Sequence, residues 1–152
     1  MSEVTAWLLD LGHGLHAAVG EREIIHVLPD PPPMFEIPRS PAYCRRLLIW
    51  QDELLPLMNL AGRVTARPVA PAEAQPGDDG LVAIAAFQRH PGEAPRHGGL
   101  LLRGTPSRVG VSDANACGLP EAPGGWRQFA ISCFEHADLG PVPVLDLQSV
   151  FS

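Results

Sequence analysis

The stretch that decides the fold is IPRSPAYCRRLLIWQDELLPLMNL, residues 37–60. An apolar run at residues 47–50 is followed by the polar residues 51–53 and by a second apolar run at residues 54–60. Short apolar runs bounded by turn signals are typical of buried strands. Because the polar break is so short, the two runs predict a hairpin that docks into a core. Pro56 lies within the second run and predicts that its strand is at an edge or a bulge.

Similar runs on both sides of this hairpin indicate an all-β protein. One segment differs, because residues 21–28 place Ile24, Val27 and Leu28 at helical spacing behind a charged trio, which predicts a helix of one to two turns. Many short strands separated by turn signals favour a barrel or a sandwich. Further strands are predicted at residues 5–11, 15–19, 81–87, 99–102, 109–111, 128–135 and 141–147.

Two five-residue segments echo each other, PLMNL at residues 56–60 and PVLDL at residues 143–147. Each is an apolar strand that ends at Asn59 or Asp146, a residue type suited to cap a following helical turn. Two similar lobes that close in the same way would produce this echo. We therefore expect a single domain, 1–152, with lobe-forming halves at about 5–66 and 81–151 and a flexible linker at about 67–80.

Composition and charge exclude several classes of function. The 152 residues have a formal net charge of −6, with eleven arginines and no lysine. This charge gives no electrostatic reason to bind nucleic acid or an anionic membrane. The lack of lysine excludes a Schiff-base or P-loop lysine. No signal-peptide pattern and no apolar run of about 20 residues occur, so we expect a cytoplasmic protein without direct membrane insertion.

Catalytic and metal sites are not indicated either. The sequence contains three cysteines, Cys44, Cys117 and Cys133. An odd number without a close pair argues against a disulfide framework or a four-thiolate zinc site. His13 and His16 flank a glycine turn with no third ligand nearby in sequence. A hydrolase built on Cys44 and His26 is the least favoured alternative, since no catalytic motif is present. We expect no catalytic residue, no metal and no cofactor.

Taken in order, the segments resemble the CheW-like family, the scaffold domains of bacterial chemosensory arrays. In that family a strand-turn-strand is followed by a short helix, a proline-marked connection, and a motif close to Gly-x-Ile-Asn-Leu-Arg-Gly-x-x-x-Pro-x-x-Asp-Leu. The resemblance spans residues 5–151. The matching segments are residues 24–27 at the short helix, with His26 where the family favours Glu, residues 37–41 at the connection, residues 48–52 at Ile-Asn-Leu-Arg-Gly, Pro56, residues 59–60, and residues 145–147 at the C-terminal strand.

This resemblance implies an architecture and a role. The expected fold is all-β, with two small SH3-like β-barrel lobes packed together and short helical turns. The expected function is a non-catalytic adaptor that couples a methyl-accepting chemoreceptor to the regulatory domain of a histidine kinase. The setting would be bacterial chemosensory or type IV pilus signalling. The alternative is a small all-β peptide- or ligand-binding module unrelated to chemotaxis.

The candidate partner-binding residues centre on the hairpin turn. Family members usually carry an arginine there that is associated with receptor contact, and this chain has Gln51 instead. Asp52 and Glu53 follow, so a positive turn has become an acidic one. The neighbouring tryptophan is either a core anchor or an interface hot spot. The full set of candidates is Trp50, Gln51, Asp52, Glu53, Ile24 and Val19.

Overall fold

A computed structural model describes residues 3–12, 14–28, 34–39, 46–65, 81–88, 90–121 and 124–151. Within these residues, eleven strands form two sheets. The first sheet has the order β10-β11-β2-β1-β9, and the second has the order β3-β7-β8-β6-β5-β4. The strands are β1 (Val4–Gly12), β2 (Leu15–Gly20), β3 (Ile24–Leu28), β4 (Met34–Glu36), β5 (Arg46–Trp50), β6 (Glu53–Met58), β7 (Leu81–Phe87), β8 (Arg96–Leu102), β9 (Ser107–Val111), β10 (Ala130–His136) and β11 (Gly140–Leu145), and the helices are α1 (Leu60–Thr65), α2 (Trp126–Phe129) and α3 (Leu147–Val150).

The two sheets enclose one shared core and an additional core in each lobe. In β7, Ala83 and Ala85 face the shared core, whereas Val82 and Ile84 face the core of the second sheet. Alternate residues of a strand point to opposite faces. A strand covered on both faces therefore has a continuous apolar sequence, which is what residues 81–87 show. The resulting two-lobe, all-β architecture confirms the predicted fold class.

The sheets do not follow the division that the linker suggested. The first sheet combines β1 and β2 with β9, β10 and β11, while the second contains β3 to β8. Each sheet includes one parallel contact between distant segments, Val144 beside Ala18 in the first and Leu57 beside Gly99 in the second. The boundary between the predicted halves 5–66 and 81–151 therefore does not coincide with the boundary between sheets. The predicted linker at 67–80 lies outside the described residues.

The predicted helix at residues 21–28 is wrong. Glu21–Glu23 form one turn of 3₁₀ helix, in which the Glu23 carboxylate accepts a hydrogen bond of 2.7 Å from the Gly20 backbone N–H. Ile24–Leu28 then form β3, which pairs antiparallel with β7. A bulge between Ile24 and His26 breaks the strict alternation and makes the apolar spacing look helical. Residues 24–28 therefore form a strand, because pairing with the edge of β7 outweighs the helical spacing of their apolar side chains.

Pro56 does not lie in an edge strand, contrary to the prediction, although its own position is unpaired on one side. Its strand, β6, is bonded to β5 on one side and to β8 on the other. The contact with β8 involves only Leu57 and Met58, so Pro56 precedes the section that pairs with it. The proline therefore interrupts no hydrogen bond to β8, which is why an interior strand tolerates it.

Both predicted caps are present at the ends of the echoing segments. The Asn59 side chain accepts a hydrogen bond of 3.2 Å from the Gly62 N–H in α1. Asp146 accepts hydrogen bonds from the Gln148 N–H at 3.2 Å and from the Ser149 hydroxyl at 2.9 Å in α3. β6 and β11 therefore end in the same way, as the echo between residues 56–60 and 143–147 predicted.

Removing the second cap should cost measurable stability. We expect Asp146→Ala to lower the free energy of unfolding by about 1 kcal/mol, because two donors of the first turn of α3 lose their acceptor. Asp146→Asn keeps an acceptor oxygen at the cap and should change stability by less than half as much. Urea denaturation of both variants checks this, and equal losses would show that the capping bonds are not responsible.

Candidate partner-binding surface

The turn between β5 and β6 has an unusual backbone conformation. Gln51 and Asp52 have φ angles of 48° and 65°, and both side chains are exposed. Positive φ at both central residues of a two-residue hairpin is characteristic of a type I′ turn, in which glycine or asparagine is preferred at these positions. A glutamine there is held in a conformation that costs free energy for a residue with a Cβ. The hairpin therefore presents these two side chains at a tight, fixed point.

The turn is braced against β8. The Trp50 ring lies 5.5 Å from the His97 ring at an interplanar angle of 51°. His97 Nδ1 lies 3.4 Å from Glu53 Oε2. Trp50 is half-buried and packs against the core of the second sheet. It therefore anchors the turn from below while part of its surface stays accessible beside Gln51.

An apolar surface extends from this turn across three strands. Phe35 lies opposite Leu47, Leu47 lies opposite Pro56, and Ile49 lies opposite Leu54. Directly opposed residues in antiparallel strands share one face of the sheet. Phe35 and Leu54 are 56% and 60% exposed. We call the surface formed by Phe35, Leu47, Ile49, Leu54 and Pro56 the outer apolar face.

The outer apolar face continues the shared core beyond the point where the first sheet covers it. Along β6, residues 54, 56 and 58 point to the same side. Met58 belongs to the shared core, Pro56 is half-buried, and Leu54 is exposed. Burial therefore falls steadily along one row of side chains. A partner could extend this packing by covering the uncovered end of the row.

The opposite face of the same hairpin is also apolar, which explains why this surface could not be predicted from the sequence. Leu48 and Leu55 are fully or almost fully buried and form the core of the second sheet with Leu57. Both faces of β5 and β6 are thus apolar, and no alternation distinguishes the covered face from the uncovered one. Sequence reasoning consequently missed Phe35 and Leu54 as candidate site residues.

The other sequence candidates occupy different places. Val19 in β2 has no exposed surface, and Ile24 in β3 is 9% exposed. Both belong to the shared core, so their side chains reach a partner only if the fold opens. The structure therefore brings Trp50, Gln51, Asp52 and Glu53 together at one turn and separates them from Val19 and Ile24.

The electrostatic character of the turn is acidic. Asp52 is exposed at the tip of the turn. Glu53 and Glu36 are also exposed, but they lie on the opposite side of the sheet from the outer apolar face, and Glu36 is paired across the strands with Arg46. His97 faces Glu53 from the neighbouring strand. A partner that covers the outer apolar face and reaches the turn would therefore match it best with an apolar centre and a basic group opposite Asp52.

Other kinds of site find little support among the described residues. No group of three or more His, Cys, Asp or Glu side chains there could hold a metal ion, and no described helix is long and apolar enough to cross a membrane. A depression of about 470 Å³ is lined by Arg22, Glu23, Ala86, Phe87, Gln88 and Pro95. Glu23 and Gln88 already bond to Gly20 and Glu93 within the chain. His13 and Cys44, considered from sequence, lie outside the described residues.

Comparison with known proteins identifies the architecture. No protein-family model matches the chain, and no curated protein is a significant match. Among solved structures, the scaffolding protein TtCheW from Thermoanaerobacter tengcongensis superposes with a TM-score of 0.75. The alignment covers 100% of this chain and 90% of that chain, at 12% sequence identity. The chain therefore has a CheW-like fold over its whole length, as the order of its motifs predicted.

Proposed function

We propose that this protein is a non-catalytic adaptor that couples a chemoreceptor to the regulatory domain of a histidine kinase. The observation that carries the proposal is the likeness of the entire chain to a CheW scaffolding protein. Fold alone does not establish function, so the site has to support it. A tight turn beside an uncovered apolar face supports a role in binding proteins.

The two parts of the surface suit two different partners. The outer apolar face offers exposed leucine and phenylalanine side chains, Leu54 and Phe35, on a sheet. We assign it to the kinase regulatory domain, because the buried centre of a stable interface is more apolar than its rim. The acidic turn, with Gln51 and Asp52 at its tip, is assigned to the receptor, as the matching position in the family suggests.

Calorimetry tests the proposal directly. The full chain is titrated with the isolated regulatory domain of a cognate kinase and, separately, with a peptide hairpin that reproduces the receptor tip. We expect micromolar dissociation constants for both, and a ternary complex when all three are mixed. If neither partner binds at high micromolar concentration, the adaptor function is overturned, whereas the conclusion about the fold is unaffected. That result would favour the alternative, a module for an unrelated peptide or ligand.

The charge of the turn leads to a second prediction. Gln51→Arg adds the charge that family members usually carry there, so we expect it to strengthen binding to a conventional receptor tip by roughly 3- to 10-fold, or about 1 kcal/mol. Gln128→Arg adds the same charge at an exposed position of α2 and serves as the matched control. Fluorescence anisotropy with a labelled receptor hairpin measures both. Equal gains in the two variants would reflect net charge alone, and no gain at Gln51 would place this turn outside the receptor contact.

A further inference from the structure

Two cysteines that are remote in sequence meet at the outer strand of the first sheet. The Sγ atoms of Cys117 and Cys133 lie 3.4 Å apart, and both thiols are free. The Cys117 backbone N–H donates a hydrogen bond of 3.1 Å to the Cys133 carbonyl oxygen. The neighbouring residues Ala116 and Phe134 form an antiparallel bridge. Cys117 therefore lies directly opposite Cys133, as in a pair of antiparallel strands.

This arrangement suits a covalent bond between the two side chains. Hydrogen-bonded pairs in antiparallel strands have Cα atoms about 5.5 Å apart. Disulfides span Cα separations of about 4.4–6.8 Å, a range that includes the spacing typical of such pairs. We infer that Cys117 and Cys133 form a reversible, redox-sensitive disulfide site that ties the segment before Cys117 to β10.

The chemistry is a two-step exchange with a low-molecular-weight disulfide such as oxidised glutathione. The Cys117 thiolate attacks one glutathione sulfur, which forms a mixed disulfide and releases one glutathione thiolate. The Cys133 thiolate then attacks the Cys117 sulfur, which closes the protein disulfide and releases the second glutathione thiolate. The two protein thiols are oxidised, the glutathione disulfide is reduced to two thiols, and the two protons from the cysteines end on glutathione.

The surroundings assign these two roles. Cys117 is partly exposed, so a small disulfide can reach it, whereas Cys133 is buried. Burial, together with the hydrogen bond to Cys117, raises the pKa of Cys133 to about 12. A thiol of raised pKa is seldom a thiolate near neutral pH, so Cys133 is the resolving and not the attacking group. Closure of the disulfide should accordingly speed up as the pH rises.

The bond would act on an otherwise open sheet edge. β10 is the outer strand of the first sheet as described, and residues 116–117 lie along part of its free side. Uncovered strand edges readily pair with other chains. Oxidation would join residues 116–117 covalently to β10, whereas after reduction no covalent bond would hold them there. The inference is independent of the adaptor function.

Peptide mapping of the wild-type protein tests the site. The protein is equilibrated in glutathione buffers of decreasing reduced-to-oxidised ratio and quenched with acid. Its remaining free thiols are blocked with N-ethylmaleimide, which prevents disulfide exchange, and it is then digested with trypsin near neutral pH. Cleavage after Arg108 and Arg127 places Cys117 in residues 109–127 and Cys133 in residues 128–152, while Cys44 falls in residues 40–45. We expect residues 109–127 and 128–152 to be recovered as one disulfide-linked species, with Cys44 excluded from it.

Controls and a second readout complete the test. Cys117→Ser and Cys133→Ser should abolish the linked species, and the oxidised wild-type protein should melt roughly 5–10 °C above the reduced protein because the closed loop restricts the unfolded chain. Recovery of only glutathione adducts, of Cys44-linked peptides, or of dimers joined between chains would overturn the inference. So would a linked species that forms only after the protein is unfolded, since the native arrangement would then play no part.

Discussion

Replacing Leu54 with aspartate is expected to weaken binding to the kinase regulatory domain by at least about 30-fold, or about 2 kcal/mol. Leu54 lies at the uncovered end of the outer apolar face, beside Ile49 on the neighbouring strand and Pro56 on its own, and its side chain is 60% exposed. In a complex, an aspartate there would be buried without a partner for its charge. Calorimetry against the isolated regulatory domain measures the loss.

A matched control separates binding from folding. Val4 in β1 is also an apolar strand residue that is 60% exposed, but it belongs to the first sheet. Val4→Asp should leave binding unchanged, and thermal melts should show that both variants fold as the wild type does, since substitutions at exposed positions usually change stability by less than about 0.5 kcal/mol. Full binding by Leu54→Asp, or equal losses in both variants, would contradict the assignment of the outer apolar face.

The second large effect is expected at Gly125. Its φ is −63°, so the backbone conformation is ordinary and any residue could adopt it. A Cβ at this position, however, would overlap the carbonyl group of Val64, with the carbonyl carbon only 2.8 Å away. The obstacle is backbone, which cannot rotate aside as a side chain can. Gly125→Ala should therefore lower the free energy of unfolding by about 1–3 kcal/mol and the Tm by roughly 5–10 °C.

The reason for this sensitivity is the position of the contact between the lobes. Val64 lies in α1, which follows β6 of the second sheet, and Gly125 immediately precedes α2, which leads into β10 of the first. The close approach brings the two connections together above the shared core. Gly124→Ala is the matched control, because a Cβ there meets nothing within 4 Å. Guanidinium denaturation of both variants measures the difference, and equal stability would show that the lobes can separate at this point without cost.

The strands and caps were predictable because their causes are local. The apolar runs on either side of Gln51 and Asp52 specified the hairpin, since a polar break of a few residues permits little else. Asn59 and Asp146 were recognised as caps because their side chains bond to N–H groups two or three residues later. β7 was predicted with its observed bounds, since a short apolar run bounded by turn signals marks a buried strand.

The errors arose where a distant segment decided the outcome. Residues 24–28 pair with β7, which begins more than fifty residues later, and this pairing turned a helical spacing into a strand with a bulge. Pro56 is tolerated inside a sheet because β8 reaches only the two residues after it. Neither outcome can be predicted from the neighbouring sequence, because each depends on which strand lies alongside.

The sequence by itself determined the all-β class, the hairpin at residues 46–58, the caps and the order of motifs that resembles the CheW-like family, because short-range patterning and hydrogen bonding fix these features. Only the tertiary structure decided which apolar residues remain uncovered. Val19 is buried in the shared core, whereas Leu54 and Phe35 stay exposed. Burial depends on what packs against a face, so Cys117 and Cys133 could likewise be recognised as a pair only once the chain was folded.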